Sequence, residues 1–177
     1  MSGSLIKIDE EIVTSATASV TLTGIDSTYN VYMLKLNNIK VDTDNITVYA
    51  RVSNSGTPDI TANYDRAAKE LRSDTTFTNV KNTGLVYFPL LPNLENETGD
   101  SSANANGVFY LFNWYNPNQF SFITQEMVAE KYTGNILTGL QGAGVHSVAS
   151  QYNEVNLFPS SGANINSGTL SLFGLAK

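Results

Sequence analysis

One histidine, a few carboxylates and an aromatic run beside amides are the residues of this 177-residue chain with chemical potential. His146 lies in Gly144-Val-His-Ser147, inside a glycine-rich stretch. A serine-hydrolase triad would have to use it. Yet there is no Gly-x-Ser-x-Gly elbow, and no motif places a nucleophile or a partner carboxylate. Glu95, Glu97 and Asp100 crowd a polar loop. Glycoside hydrolysis needs two carboxyls held roughly 5 to 9 Å apart across a cleft. An Asn-rich loop gives no reason for that spacing, so a solvated loop is expected. Asp42, Asp44 and Asn45 have the residue types of a calcium site, but the Gly and distal Glu of a full loop are missing. Asx hydrogen bonds in a turn account for the same residues. No P-loop or dinucleotide fingerprint occurs. The reading is no catalytic residue, no metal and no cofactor.

The aromatic run is Phe109, Tyr110, Phe112, Trp114 and Tyr115, followed by Asn116-Pro117-Asn118. Two readings stay open. Such rings are ordinary core and subunit-interface material. Aromatics beside amides also stack on sugars and hydrogen-bond their hydroxyls, which would make Trp114, Tyr115, Asn116 and Asn118 glycan contacts.

Composition narrows the classes further. Ten basic and 16 acidic residues give a net charge of −6. A nucleic-acid groove needs clustered Lys and Arg, so nucleic acid is not expected as a partner. No basic amphipathic stretch or long apolar run points to a membrane. Cysteine is absent, which excludes thiol chemistry and disulfide staples. Charged residues are only 15%, against a usual share of about 25%. Asn, Ser and Thr fill the gap, at 55 of 177 residues. The N-terminal residues lack a basic segment followed by an apolar one, so synthesis in a cytoplasm is expected. The sequons at Asn45 and Asn96 then carry no meaning.

The elements that must position these residues repeat mostly with period two. Val20 and Leu22 alternate with polar residues, as do Ile46, Val48, Ala50 and Val52. Residues 29–36 are apolar on most of both faces, which suits a deeply buried strand. Asn37 to Asp44 is rich in turn formers, and a hairpin is expected to join the strands on either side. Residues 64–71 (YDRAAKEL) have helical propensity, so a short helix or turn is allowed there. Pro89 predicts an edge strand or a strand end. Pro92 to Gly107 reads as a long exposed loop, and Val108 to Trp114 as a strand buried on both faces or at an interface. Gln119 to Glu130 begins like a strand and ends like a helix. Four glycines between residues 134 and 144 predict irregular or bulged structure. Residues 155–158 and 169–175 read as closing strands. The expectation is one all-β domain over residues 1–177, a jelly-roll-like sandwich with at most one or two short helices.

Several of these segments resemble a family of small virion structural proteins of tailed phages, common among marine and cyanobacterial phages. The C-terminal residues Asn156-Leu-Phe-Pro-Ser-Ser-Gly162 and Ile165-Asn-Ser-Gly-Thr-Leu-Ser-Leu-Phe-Gly-Leu175 carry the strongest similarity. Phe173 stands where the family usually has Tyr. Ile25-Asp-Ser-Thr-Tyr29 resembles the family's opening segment. Val48-Tyr-Ala-Arg51, with Tyr64 beyond a polar loop, resembles its Arg-containing strand, although the Asn-Gly pair expected after the Arg is replaced by a shifted version, Val52-Ser-Asn-Ser-Gly56. Gly107-Val-Phe-Tyr-Leu-Phe-Asn113 resembles the central strand before its Asn-containing turn. The resemblance implies a β-sandwich virion component, a head decoration or tail accessory, with no catalytic residues. The implied partners are further copies of the chain, a trimer above all, other head or tail proteins and host surface glycan. The implied location is the virion. Within such a chain Gly107 to Trp114 and the strand from Thr169 are the expected core or interface strands. Gly162 and Gly168 are expected at positive φ, and Ser160 and Ser161 to cap the last loop.

Overall fold

The computed structural model describes residues 4–96, 104–131 and 136–176. Thirteen strands carry them. The first seven are β1 (Leu5–Val13), β2 (Val20–Thr23), β3 (Val31–Val41), β4 (Ile46–Asn54), β5 (Thr57–Pro58), β6 (Tyr64–Arg72) and β7 (Thr78–Leu85). Next come β8 (Phe88–Leu94), β9 (Ala105–Phe112), β10 (Ser121–Lys131), β11 (Ile136–His146), β12 (Glu154–Pro159) and β13 (Ile165–Leu175). A 3-10 turn at Ser160–Gly162 is the one helical element among the described residues.

Four bent ribbons build the architecture. β13 pairs with β3, while the preceding β12 pairs with the following β4. On one side β1 joins β13 and β2 joins β12. On the other, β9 joins β3 and β8 joins β4. Each ribbon therefore turns a corner from one sheet into the facing one, the winding of a jelly roll. β10, β11, β6 and β7 extend the first sheet beyond β9, all antiparallel. A single bridge, Lys131 to Leu94, links β10 back to β8 and nearly closes the sandwich into a barrel.

Alternation explains why the layers face as they do. Ile46, Val48, Ala50 and Val52 all point inward from β4, and Tyr32, Leu34 and Leu36 from β3. Phe109 and Leu111 meet them from β9, Leu170 and Leu172 from β13, and Val155 and Leu157 from β12. Fully burying one such side chain contributes about 1.5–3 kcal/mol.

Four expectations need correction. The chain between β3 and β4 is a corner between sheets, and the two strands do not pair with each other. Residues 64–71 are strand, with Tyr64, Arg66, Ala68 and Glu70 on the more buried side. Residues 121–131 form one continuous strand with no helical end. The glycine-rich segment is the regular strand β11, paired with β10 from Ile136 to His146 without a register shift. β1, which the period-two reading passed over, is an edge strand largely exposed on both faces. Pro89 is the second residue of β8, near the strand start as expected. Gly162 and Gly168 have φ of 71° and 138°, in the region that disfavours a Cβ.

Candidate functional site

The turn after β9 places the residues singled out for sugar contact. Asn113 enters the left-handed region at φ 59° and turns the chain out of the strand. Trp114 then drops into the core at 1% exposure. Its indole Nε1–H donates to the Glu154 carbonyl at 3.1 Å, and its own carbonyl accepts from the Tyr152 N–H at 2.9 Å. A ring so enclosed has no face for a sugar, so Trp114 leaves the set of glycan contacts and joins the core. The Asn116 side chain accepts from the Asn118 N–H at 2.9 Å and donates to Gln119 Oε1 at 3.2 Å. Those bonds make the turn an Asx turn.

Beside this turn is a cleft of about 280 Å³. Tyr115 and Asn116 line it, together with Tyr29, Asn30 and Asp26 from the segment before β3. Asn118 is exposed on the turn and does not line the cleft. Asp26 fixes the opposite wall. Its Oδ1 accepts from the Thr28 N–H at 2.7 Å, which holds the carboxyl below its ordinary range. The Asp26 N–H donates to the Tyr32 hydroxyl at 2.8 Å, and burial pushes that phenol up to about 12. The cleft thus offers two half-buried rings, amides and one ionised carboxylate.

The outer face of the first sheet forms a second surface. In register across β10, β9 and β3 run Phe122, Phe112 and Val31, and in the next outward row Thr124, Tyr110 and Met33. Phe122 is 44% exposed and Tyr110 38%. One further row holds Glu126, Val108 and Lys35. The strand expected over Val108 to Trp114 is therefore buried on one face rather than both. Phe109 and Leu111 are core, while Tyr110 and Phe112 look outward.

The remaining candidates resolve into structure. Asp42 Oδ1 and Oδ2 accept from the Asn164 N–H and Nδ2 at 2.9 and 2.7 Å. Asp44 Oδ1 accepts from the Asn96 N–H at 2.9 Å. Ser160 Oγ accepts from the Thr47 N–H at 3.1 Å. These bonds stitch neighbouring ribbon corners together, which occupies Asp42 in holding the start of β13 to the end of β3. Glu97 and Asp100 lie outside the described residues.

His146 does have a carboxylate neighbour that no motif marked. Its Nε2 is 3.3 Å from Asp59 Oδ2, and Tyr64 and Tyr152 pack their rings against the imidazole. The side chain is 0% exposed. Burial pushes the imidazole below its ordinary value, and Asp59 offsets part of that. Asp59 could be found only once the fold brought residues 59 and 146 together.

No family model matches the chain, and no curated protein matches it. Among solved structures, a chain from the structure of infectious bursal disease virus Gx strain aligns at 13% identity. The alignment covers 98% of this chain but 39% of that one, with a TM-score of 0.13. A likeness at that score carries no argument about fold or role.

Proposed function

We propose that the chain is a non-enzymatic structural protein of a tailed-phage virion, a homo-oligomer set on the particle surface as a head decoration or tail accessory. The observation that carries this reading is the uncovered aromatic face formed by Phe122, Phe112 and Tyr110. Apolar rings on an open sheet face mark a surface that gains by being covered. A second copy suits it by charge. Glu126 and Lys35 flank Val108 in one row. Charges of both signs beside the rings let this face meet a different surface of the neighbouring copy, the heterologous contact that closes a ring. The low charge content of the whole chain fits a surface that packs repeatedly against neighbours. The virion assignment itself rests on the resemblance of the strand and turn motifs, and a closed trimer is the expected form.

Light scattering on the full-length chain tests the assembly. The expected result is a trimer or larger species at micromolar concentration, converted to monomer by Tyr110→Glu with Phe122→Glu. A wild-type chain that stays monomeric throughout that range overturns it. Cryo-EM of the assembled particle then tests head against tail.

The cleft beside Tyr115 favours a second reading, a tail-tip module that recognises host glycan. Tyr29 and Tyr115 supply rings, and Asn30 and Asn116 supply amides, within one small cleft. Titration with host surface polysaccharide, followed on the Tyr115 ring resonances by NMR, tests this. Binding abolished by Tyr115→Ala supports it, and no shift at any concentration removes it.

A further inference from the structure

Between the β6–β7 hairpin and strands β4 and β8 lies another cleft, of about 370 Å³. Arg66 of β6 is set in its wall at 8% exposure. Its Nη1 donates to the Pro89 carbonyl at 3.0 Å, while its Nε is buried with no hydrogen-bond partner. Among the described residues no carboxylate oxygen lies within 4.0 Å of it. Arginine does not shed its proton in proteins, so a positive charge is buried here without a contact counter-ion. Such burial is costly unless the charge is paired.

The one carboxylate in the cleft is already engaged. Glu70 Oε1 is 3.6 Å from Lys131 Nζ and accepts from Thr138 Oγ1 at 3.5 Å. The lining of the cleft thus carries one cation, Arg66, and one anion, Glu70, and that anion is already engaged by Lys131 from outside the lining. The rest of the wall is aromatic and amide. Tyr49 and Tyr87 stack with centroids 3.8 Å apart, and Asn82 and Asn93 line the same space. β8 takes three steps from Leu91 to Leu94 where β4 takes two, from Val48 to Ile46, and Asn93 in that bulge has φ 57°. A bulge re-aims a side chain that a regular ladder would hold elsewhere.

We propose that this cleft binds the carboxylate of an acidic sugar residue of the uronic acid type. The guanidinium receives the carboxylate, since its planar fork matches that group. Asn82 and Asn93 meet ring hydroxyls, and Tyr87 borders the sugar. The volume sits at the small end of ligand sites, about 300–1,000 Å³, and suits one ring. None of these residues belongs to the outer aromatic rows, so this proposal and the assembly reading stand or fall separately.

NMR titration of the isotope-labelled full-length chain tests it, with sodium glucuronate, glucose, sodium acetate and dialanine as probes. Glucuronate is expected to shift the Arg66 Nε–H and the Asn82 and Asn93 amides, with a Kd on the order of 1 mM. Glucose, lacking the charge, should bind at least about tenfold more weakly, a difference worth about 1.4 kcal/mol. Arg66→Lys should weaken glucuronate by a similar factor, because Lys lacks the fork. Should that variant fail to fold, Asn93→Ala tests the wall from a half-exposed position and should weaken binding severalfold. No shift with glucuronate overturns the proposal, as does equal binding of glucose. Acetate matching glucuronate shows a bare anion site and overturns the sugar half. Dialanine binding more tightly than glucuronate identifies a peptide terminus and overturns it too.

Discussion

Both sheets display aromatic rings on their outer faces, yet only one face leaves them free. On the four-stranded sheet Tyr49 stacks on Tyr87, and Phe158 leans on both. The Arg51 guanidinium sits 4.2 Å from the Phe158 ring centroid, and its Nε–H donates to the Val86 carbonyl at 2.9 Å. Those rings are covered by their own neighbours. On the larger sheet no comparable ring pair engages Tyr110, Phe112 or Phe122 among the described residues. The difference separates two uses of the same residue type. Rings that pair within the chain stabilise the monomer, and rings left in a row have their surface available to a partner.

The sharpest way to test the distinction is within one strand. Phe109 and Tyr110 are sequence neighbours on opposite faces of β9. Phe109→Ala is expected to cost about 3–5 kcal/mol of monomer stability, because the inner site is fully packed. Urea unfolding measures it, and a loss below about 1 kcal/mol would contradict the core assignment. Next in size is the outer face. Tyr110→Glu with Phe122→Glu should weaken association at least a hundredfold, about 2.7 kcal/mol. Monomer stability should change by no more than about 0.5 kcal/mol per site. Sedimentation and urea unfolding on the same sample read both. Smaller again is the covered face. Phe158→Ala removes one ring contact set and the Arg51 contact, at a cost of about 1–2 kcal/mol in stability. Its association constant should stay unchanged. If Phe158→Ala disrupts assembly and the Tyr110 and Phe122 changes do not, the two faces have been assigned the wrong way round.

The sequence shows part of this and conceals the rest for definable reasons. β4 alternates cleanly, and its inward residues are legible from period two alone, whereas the continuous apolar run of β9 does not say which of its faces turns inward. Residues 64–71 mislead because Ala, Lys, Glu and Leu favour helix locally. Pairing with β11 on one side and β7 on the other overrides that preference. The glycines of β11 suggest irregularity, but a Cβ at Gly142 would overlap the Cβ of Ala68 and the Ala67 carbonyl. Glycine is there because β6 lies too close for a side chain. The failed hairpin between β3 and β4 has a different cause. Turn residues announce a reversal but do not say whether the chain returns along the same sheet or enters the facing one. Trp114 illustrates the limit at the candidate site. Its type fits both a sugar platform and a core, and only the carbonyl of Glu154, forty positions away, decides. Arg66 and Asp59 carry no motif at all, since what distinguishes them is burial beside residues distant in sequence.

The smallest effect concerns what the two faces share, the polar cluster around His146 in the interior. Burial keeps the imidazole neutral in the folded chain to a lower pH than its ordinary value of 6.5. The unfolded chain takes up that proton near pH 6.5. Between those two points the unfolded state binds more protons, so stability falls as pH drops below about 6.5, by at most about 1.4 kcal/mol per unit for one proton. Burial pushes Asp59 upward, but hydrogen bonds from Thr61 outweigh it and hold the carboxyl below its ordinary range. Its contribution is complete above about pH 4 and is lost on further acidification. Urea midpoints from pH 8 to pH 5 should therefore slope downward for the native chain and flatten for His146→Gln. Equal slopes would show that the proton is taken up elsewhere. Because His146 is enclosed in the interior, mild acid should loosen the monomer itself. An association constant that fell with pH faster than monomer stability would place a titrating group in the interface instead.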